Sequence, residues 1–332
     1  MIPNRIGKKR LVSGMRTTGS LHLGHLEGTL KNWLRLQEEY DCFYFAAVWH
    51  AFTDRLRIEN LPAIIDEMII DWMSVGIDPK KSVIFRQSSL LQHAELSTIL
   101  GMYTPLGWLE RCPTFKNEVR DDESRSQVSL GKLAYPVLMT ADVAVYKAEA
   151  VPVGKDQLPH LELAREILRR FNSQIGQIFP EPKEILSDVP LLLGIDNRKM
   201  SKSYGNAIEL RETPETLKQK IHLMITDPKR IRRNDPGNPD ICTVYAYHKI
   251  YTGNRLDELG NGCRTAGIGC RDCKGVLFAS LDSMLEPIRR RRVELEKQPD
   301  LVRDVLTEGE HRANEVAEQT MSEVRRALGF LG

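Results

Sequence analysis

The chain of 332 residues lacks the features that would assign it at once to a class of protein. No apolar run approaches the ~18 residues that a membrane-spanning helix requires. No apolar segment of a secretory signal follows the basic start MIPNRIGKKR. We therefore expect a cytoplasmic protein that has no membrane partner. Neither sign of charge dominates, because 47 Lys and Arg stand against 45 Asp and Glu. Binding to a nucleic acid would have to depend on local basic patches.

Cysteine is also scarce, and its placement is uneven. Four of the six cysteines follow the pattern C-x20-C-x6-C-x2-C: Cys242, Cys263, Cys270 and Cys273. In a reducing compartment such residues are more often metal ligands or buried thiols than disulfides. The spacing suits structural zinc as well as a [4Fe-4S] cluster, and four thiols buried by chance are a third alternative. Cys42 and Cys112 have no partner nearby in the sequence.

Short apolar runs alternate with segments of helical periodicity up to residue 204. Strands are predicted at 11–14, 42–49 and 82–85, and a strand that turns into a loop at 150–157. Helices are predicted from 23, at 61–75, after 85 and at 160–171. This alternation predicts an α/β fold with a doubly wound, Rossmann-like parallel sheet. From 205 onward the pattern is mostly helical, with a loop at 226–240. We divide the chain into 1–204, a helical domain at 205–300, and a C-terminal helix in 301–332 that packs back on the first domain.

A glycine-rich turn follows the first predicted strand, in the sequence SGMRTTGSLHLGHLEG at 13–28. A strand, a turn of this kind and a helix N-terminus together form an anion site, because free N–H groups and the helix dipole point toward the ligand. His22 and His25 can donate hydrogen bonds to phosphate oxygens. The turn matches neither G-x-G-x-x-G nor a Walker loop. A capped helix with two exposed histidines is the alternative interpretation.

A second candidate phosphate site is KMSKS at 199–203. Lys199 and Lys202 each carry a point charge on a flexible stem, which suits a mobile clamp on a polyphosphate. Such a composition is also typical of a solvated linker. The combination of HLGH near the start with KMSKS after the last strand is far more specific than either motif alone.

HLGH resembles the HIGH motif, and KMSKS is the KMSKS motif, of class I aminoacyl-tRNA synthetases. The likeness extends over nearly the whole chain, and the chain resembles the tryptophanyl-tRNA synthetases. The segments YPVLMTADV (135–143) and VPVGKDQLPHLELAREI (151–167) resemble the amino-acid pocket and the nucleotide loop of that family. Arg16 and Thr17 depart from the family pattern, in which many members have glutamine and proline.

The resemblance implies ATP-dependent ligation of L-tryptophan to tRNA(Trp) through a tryptophanyl-adenylate, with Mg²⁺, release of AMP and diphosphate, and a homodimer. By resemblance, the catalytic residues are His22, His25, Lys199 and Lys202. The implied ATP-binding residues are Arg16, Thr17, Thr18, Gly24, His25, Gly154, Lys155, Asp156, Leu191, Lys199, Met200, Ser201, Lys202 and Ser203. The implied tryptophan-binding residues are Asp142, Tyr135, Met139, His50 and Gln157. In that family the Asp142 carboxylate would accept the indole N–H.

The cysteine pattern has a parallel in the same family. A subset of bacterial tryptophanyl-tRNA synthetases carries a similar set, with a slightly longer first gap, that binds [4Fe-4S]. The resemblance therefore implies an iron–sulfur cluster, with zinc as the alternative, held by Cys242, Cys263, Cys270 and Cys273. It also implies that residues 205–300 bind the tRNA anticodon.

Three other functions remain open from the sequence. A tyrosyl-tRNA synthetase shares the fold but would need a pocket for a phenol hydroxyl. A non-catalytic module that senses tryptophan or binds tRNA would not need both phosphate motifs. An iron–sulfur redox protein would account for the cysteines alone.

Overall fold

The computed structural model describes residues 7–17, 19–53, 56–119, 127–186 and 192–330. In these residues a parallel sheet has the strand order β3-β2-β1-β4-β5. Its strands are β1 (Arg10–Arg16), β2 (Asp41–Ala47), β3 (Ser82–Arg86), β4 (Ala150–Val153) and β5 (Lys183–Leu186). The chain adds strands on one side of β1 and then crosses to the other side, as in a doubly wound fold. The predicted fold class, including its mostly helical C-terminal part, is confirmed.

Helices cover both faces of the sheet. In the first part of the chain they are α1 (Leu23–His25), α2 (Lys31–Glu39), α3 (Val48–Ala51), α4 (Leu61–Val75), α5 (Gln92–Tyr103), α6 (Leu106–Glu110), α7 (Pro113–Glu118), α8 (Leu130–Ala144) and α9 (Leu158–Ile175). A π-helical segment, Leu26–Leu30, joins α1 to α2. The later helices are α10 (Pro214–Leu223), α11 (Thr243–Tyr251), α12 (Leu256–Arg264), α13 (Cys270–Glu296) and α14 (Pro299–Ala327). None of the described helices has the length and apolar composition needed to cross a bilayer.

The structure differs from the sequence prediction in a few elements. The predicted strand at 42–49 ends at Ala47, and Val48 begins α3. Strand β5 was not predicted, because its sequence KEIL is half charged and mostly exposed. It forms because its backbone pairs in parallel with β4.

Alternation along the central strands divides the buried residues into two layers. Leu11 and Tyr44 belong to a cluster on one face, whereas Val12 and Phe45 belong to a cluster on the other. The first cluster also contains Leu210 from the later part of the chain. Burial on both faces is what a parallel sheet requires.

The C-terminal helix α14 crosses the exposed edge of the sheet at β3. Its residue Leu306 packs in the first cluster and Ala313 in the second. The crossing lies at Gly309, where a Cβ atom would stand 1.8 Å from the Ile84 carbonyl oxygen. Glu310 pairs with Arg86 at the end of β3. The helix thus covers an edge strand that would otherwise be open to pairing with another chain.

Candidate active site

A crevice opens between β1 and β4 at the carboxyl ends of the strands. Strand β1 pairs with β2 along its whole length, from Arg10 to Arg16. Within the described strands its pairing with β4 is limited to Leu11 and Ala150, so the two strands part beyond that point. This is where the chain reverses its direction of strand addition, the usual ligand site of such sheets. A cavity of about 690 Å³ lies there.

One face of α8 lines this cavity. Lys132, Tyr135, Met139 and Asp142 follow one another at intervals of three or four residues, and all four border the cavity. That interval places side chains on one face of a helix. The helix is capped by the Ser129 hydroxyl, which accepts a hydrogen bond from the Lys132 backbone N–H at 3.2 Å.

The carboxylate of Asp142 is held by three side chains although it is only 2% exposed. Its Oδ1 accepts from Gln87 Nε2 and His93 Nδ1, both at 2.7 Å. Its Oδ2 accepts from His50 Nε2 at 2.8 Å. Burial raises the pKa of Asp142, but the hydrogen bonds and charges of the two histidines outweigh it, and the pKa is lowered overall. The group is therefore an anion whose Oδ2 has one described donor and room for a second.

The sequence analysis did not identify Gln87 and His93, which donate hydrogen bonds to the Asp142 carboxylate. Gln87 accepts a hydrogen bond from the Trp49 backbone N–H at 3.0 Å, which orients its amide. The ring of His93 is joined to the Tyr146 hydroxyl at 2.7 Å through Nε2. One signal was available, since Gln87 is a polar residue directly after the buried strand β3 at its carboxyl end.

Tyr135 takes part in a second polar cluster on the cavity wall. Its hydroxyl lies 2.9 Å from His160 Nε2 and 3.0 Å from the Thr114 hydroxyl. Burial raises the pKa of Tyr135 to about 12. Cys112 is buried and lies 3.3 Å from His160 Nδ1, so it has a partner that its sequence position did not reveal.

The HLGH turn lies at the start of α1, and hydrogen bonds from its own backbone N–H groups hold its two histidine rings. His22 is the N-cap, and its Nδ1 accepts from the Gly24 N–H at 3.1 Å. His25 Nδ1 accepts from the His22 N–H at 3.3 Å. The pKa of His22 is lowered to about 4 and that of His25 to about 3, chiefly by burial. The Lys202 charge acts in the same direction on both rings, as does the His22 charge on His25. Both rings are therefore neutral at pH 7 and carry their proton on Nε2, the atom left to donate to a ligand.

The segment after KMSKS is paired with this turn. The Leu23 N–H donates to the Ile208 carbonyl at 2.9 Å, and the Leu210 N–H donates to the Leu21 carbonyl at 2.8 Å. Met200 is buried, with its sulfur 3.6 Å from where a Cβ at Gly24 would lie. The two phosphate motifs, 174 residues apart from His25 to Lys199 in the numbering, thus form one site.

Lys202 points back over the glycine-rich turn. Its Nζ would stand 3.3 Å from a Cβ at Gly19. Burial lowers the pKa of Lys202, whereas the charges of Glu209 and Glu67 raise it. Lys199 and Ser203 on the same loop are exposed, and Ser201 shares a hydrogen bond with Ser203 at 2.8 Å.

The structure brings most of the expected site residues together. Those that border the cavity are Arg16, His50, Tyr135, Met139, Asp142, Gly154 and Gln157. Lys155 and Asp156 are exposed in the turn that follows β4. The Thr17 hydroxyl is buried without a partner among the described residues. Thr18 and Leu191 lie outside the residues that the structure describes.

The four cysteines of the helical part also converge. Cys242 caps α11, Cys263 lies in α12, and Cys270 and Cys273 lie in the first turn of α13. Burial, and then the proximity of Cys242, Cys263 and Cys270, raise the pKa of Cys273 to about 12. Nevertheless, no group of three or more Cys, His, Asp or Glu side chains in the described part of the chain is arranged to hold a metal ion.

The sequence profile of the tRNA synthetases class I (W and Y) matches residues 5–286. This chain belongs to that family. The tryptophan–tRNA ligase of Thermotoga maritima is 47% identical over 97% of this chain and 99% of its own length. That of Aquifex aeolicus is 40% identical over 97% of this chain and 100% of its own length.

Solved structures agree with the family assignment. The tryptophanyl-tRNA synthetase of Campylobacter jejuni, complexed with ADP and tryptophan, matches with a TM-score of 0.84 and 32% identity over 96% of this chain and 99% of that one. A tyrosyl-tRNA synthetase of Archaeoglobus fulgidus, with a TM-score of 0.66 and 21% identity over 87% of this chain and 91% of that one, shares the fold.

Proposed function

We propose that this synthetase joins L-tryptophan to tRNA(Trp) in two steps. In the first, the tryptophan carboxylate attacks the α-phosphorus of ATP, and diphosphate leaves. In the second, a hydroxyl at the tRNA 3′ end attacks the carbonyl carbon of the adenylate, and AMP leaves. The observation that carries the proposal is the anionic Asp142 at the cavity between β1 and β4. The HLGH and KMSKS motifs, which the backbone pairing of Leu21 and Leu23 with Leu210 and Ile208 brings together, support it.

The first step demands positioning and charge neutralisation more than covalent chemistry. His22 and His25 donate from Nε2 to phosphate oxygens, because each Nδ1 already accepts a backbone N–H. As neutral donors they stabilise developing charge without having to give up a proton. Lys202 and Lys199 neutralise the departing diphosphate, and Mg²⁺, which prefers phosphate oxygens, shares that role when bound.

Tryptophan selection rests on the remaining acceptor site of Asp142. The donors Gln87, His93 and His50 surround the carboxylate, so the ligand group that completes it must also be a donor. The indole N–H is such a group. Phenylalanine would leave the buried anion without its last donor, which costs ~10⁴-fold or more in selectivity at comparable sites.

Pyrophosphate exchange with ATP, screened over the twenty amino acids, tests this function. We expect exchange with tryptophan, and a kcat/KM for tyrosine and phenylalanine lower by at least ~10³-fold. A preference for tyrosine would contradict the proposed specificity for tryptophan. Tryptophan binding without any exchange would favour a non-catalytic sensor.

The remaining assignments concern partners and organisation. We propose that residues 205–300 bind the tRNA anticodon, and we keep the division into 1–204, 205–300 and 301–332. A homodimer and a cytoplasmic location remain predictions. Arg230, Arg232 and Arg233 lie in the basic loop of the helical domain, and such side chains suit RNA phosphates.

We also propose that the four cysteines hold a [4Fe-4S] cluster. Four thiolates are a suitable donor set for it. One further observation supports an acceptor at this place. Arg230 Nε is buried and has no hydrogen-bond partner, while its Nη1 lies 3.8 Å from Cys263 Sγ. When bound, the cluster would supply a structural cross-link between α11, α12 and α13.

Anaerobic purification should yield brown protein with about four irons and four sulfides per chain. The Cys270→Ser variant should lose the colour and the iron, because one thiolate ligand is gone. Cys42→Ser serves as the control and should keep both, since Cys42 lies in β2 outside the set. A colourless wild-type protein with one zinc per chain would contradict the iron–sulfur proposal.

A further inference from the structure

Helix α13 connects the cysteine-bearing region to the HLGH turn. It contains 27 residues, from Cys270 to Glu296, and so extends ~40 Å. Arg292, near its far end, is only 4% exposed. Its Nη1 donates to Asp71 Oδ1 on α4, and Asp71 is 0% exposed.

The other oxygen of Asp71 reaches the catalytic turn itself. Asp71 Oδ2 accepts a hydrogen bond from the Leu21 backbone N–H at 2.6 Å. Leu21 directly precedes His22, the N-cap of α1. One buried carboxylate therefore joins α13 to the peptide from which the HLGH turn begins.

The charge of this pair matters as much as its geometry. Asp71 lies close enough to Lys202 for its charge to act on that lysine. A bare carboxylate there would oppose the phosphates of ATP, and a buried charge that loses its partner is strongly destabilising. Arg292 offsets the negative charge of Asp71, and Glu296, 2.9 Å from Arg292 Nε, helps to orient the guanidinium.

We propose that Arg292 is a positioning residue for adenylate formation. Through Asp71 it holds the Leu21 N–H, and with it the HLGH turn, in the geometry that binds ATP. The packing of α13, the helix that begins at the cysteines, against α4 thereby fixes the position of the ATP site. This inference rests on the proposed function.

Arg292→Met tests the proposal, with Arg291→Met as its matched control. Arg291 lies on the same helix and donates to the Ser74 carbonyl on α4 at 2.5 Å, but it does not touch Asp71. We expect Arg292→Met to raise the KM for ATP and lower kcat of tryptophan-dependent exchange, by tenfold to roughly a hundredfold in kcat/KM, as displaced catalytic groups do. The dissociation constant for tryptophan, from equilibrium dialysis, should stay within about twofold.

Rescue by a conservative variant and stabilisation by ATP distinguish a positioning role of Arg292 from a role in folding. Arg292→Lys keeps the charge and should recover part of the lost kcat/KM. ATP without tryptophan should raise the melting temperature of the wild type and of Arg291→Met, but less that of Arg292→Met. If Arg292→Met does not fold, the double variant Asp71→Leu/Arg292→Met takes its place. It removes both buried charges together with the acceptor of the Leu21 N–H, and it should show the same selective loss.

Three results would overturn the inference. They are wild-type ATP kinetics in the folded variant, an equal loss of tryptophan affinity, and an equal loss of exchange in Arg291→Met. Absence of tryptophan-dependent exchange in the wild type would instead refute the proposed function.

Discussion

Replacing Lys202 with alanine should lower kcat for tryptophan-dependent pyrophosphate exchange by about 10²- to 10³-fold, the usual effect of removing one group that stabilises transition-state charge. Lys202 extends over the glycine-rich turn beside both histidines and is partly buried there. Its contact with the leaving diphosphate strengthens as charge develops, so the loss should appear in kcat rather than in the affinity for tryptophan.

A cation on the same loop provides the control for that experiment. Arg198 is exposed, pairs with Asp196 at 2.6 Å and stacks over the Tyr204 ring at 5.0 Å. Arg198→Ala should therefore change kcat by no more than a few-fold. A parallel loss of tryptophan binding and rate in Lys202→Ala would argue against a role at the phosphates.

Asp142→Asn should lower kcat/KM for tryptophan by about 10²- to 10³-fold, while the KM for ATP stays within about twofold. An amide cannot accept from every donor that surrounds the carboxylate. At least one of Gln87, His93 and His50 would then face an N–H group, and the indole would lose a charged acceptor. Steady-state exchange kinetics with each substrate varied in turn measure both effects.

Thr140 supplies the matched control on α8. It is buried, and its hydroxyl bonds to the Pro136 carbonyl of its own helix at 2.8 Å. Thr140→Val should leave the KM for tryptophan nearly unchanged. A collapse of ATP affinity in Asp142→Asn, with tryptophan kinetics intact, would show that the pocket is wrongly assigned.

Much of the fold was predictable because its signals are local. The helix at 61–75 agrees with α4 residue for residue, since its apolar periodicity ends at Gly76, which has a φ of 119°. Helix α8 was harder to predict from the sequence, because a proline such as Pro136 in the interior of a segment disfavours a helix there. Packing of Val137 and Ala141 in the second cluster outweighs that cost.

The candidate site likewise has one part that the sequence predicts and another part that it does not. The motifs HLGH and KMSKS, the residue Asp142 and the cysteine spacing are visible in the chain as written, because each depends on residue type and short spacing. The partners of Asp142 are not, since Gln87 and His93 reach it only after β3 has taken its place in the sheet.

By itself the sequence determined the alternation of strands and helices, the phosphate-binding motifs and the resemblance to a family. Tertiary structure alone decided that β1 and β4 part to form the cavity, that α14 crosses the β3 edge at Gly309, and that Arg292 reaches Asp71 across 221 residues. The physical reason is the distance along the chain over which each kind of interaction acts. Periodicity, turns and caps act over a few residues along the chain, whereas buried hydrogen bonds and ion pairs join groups that become neighbours only when the layers pack.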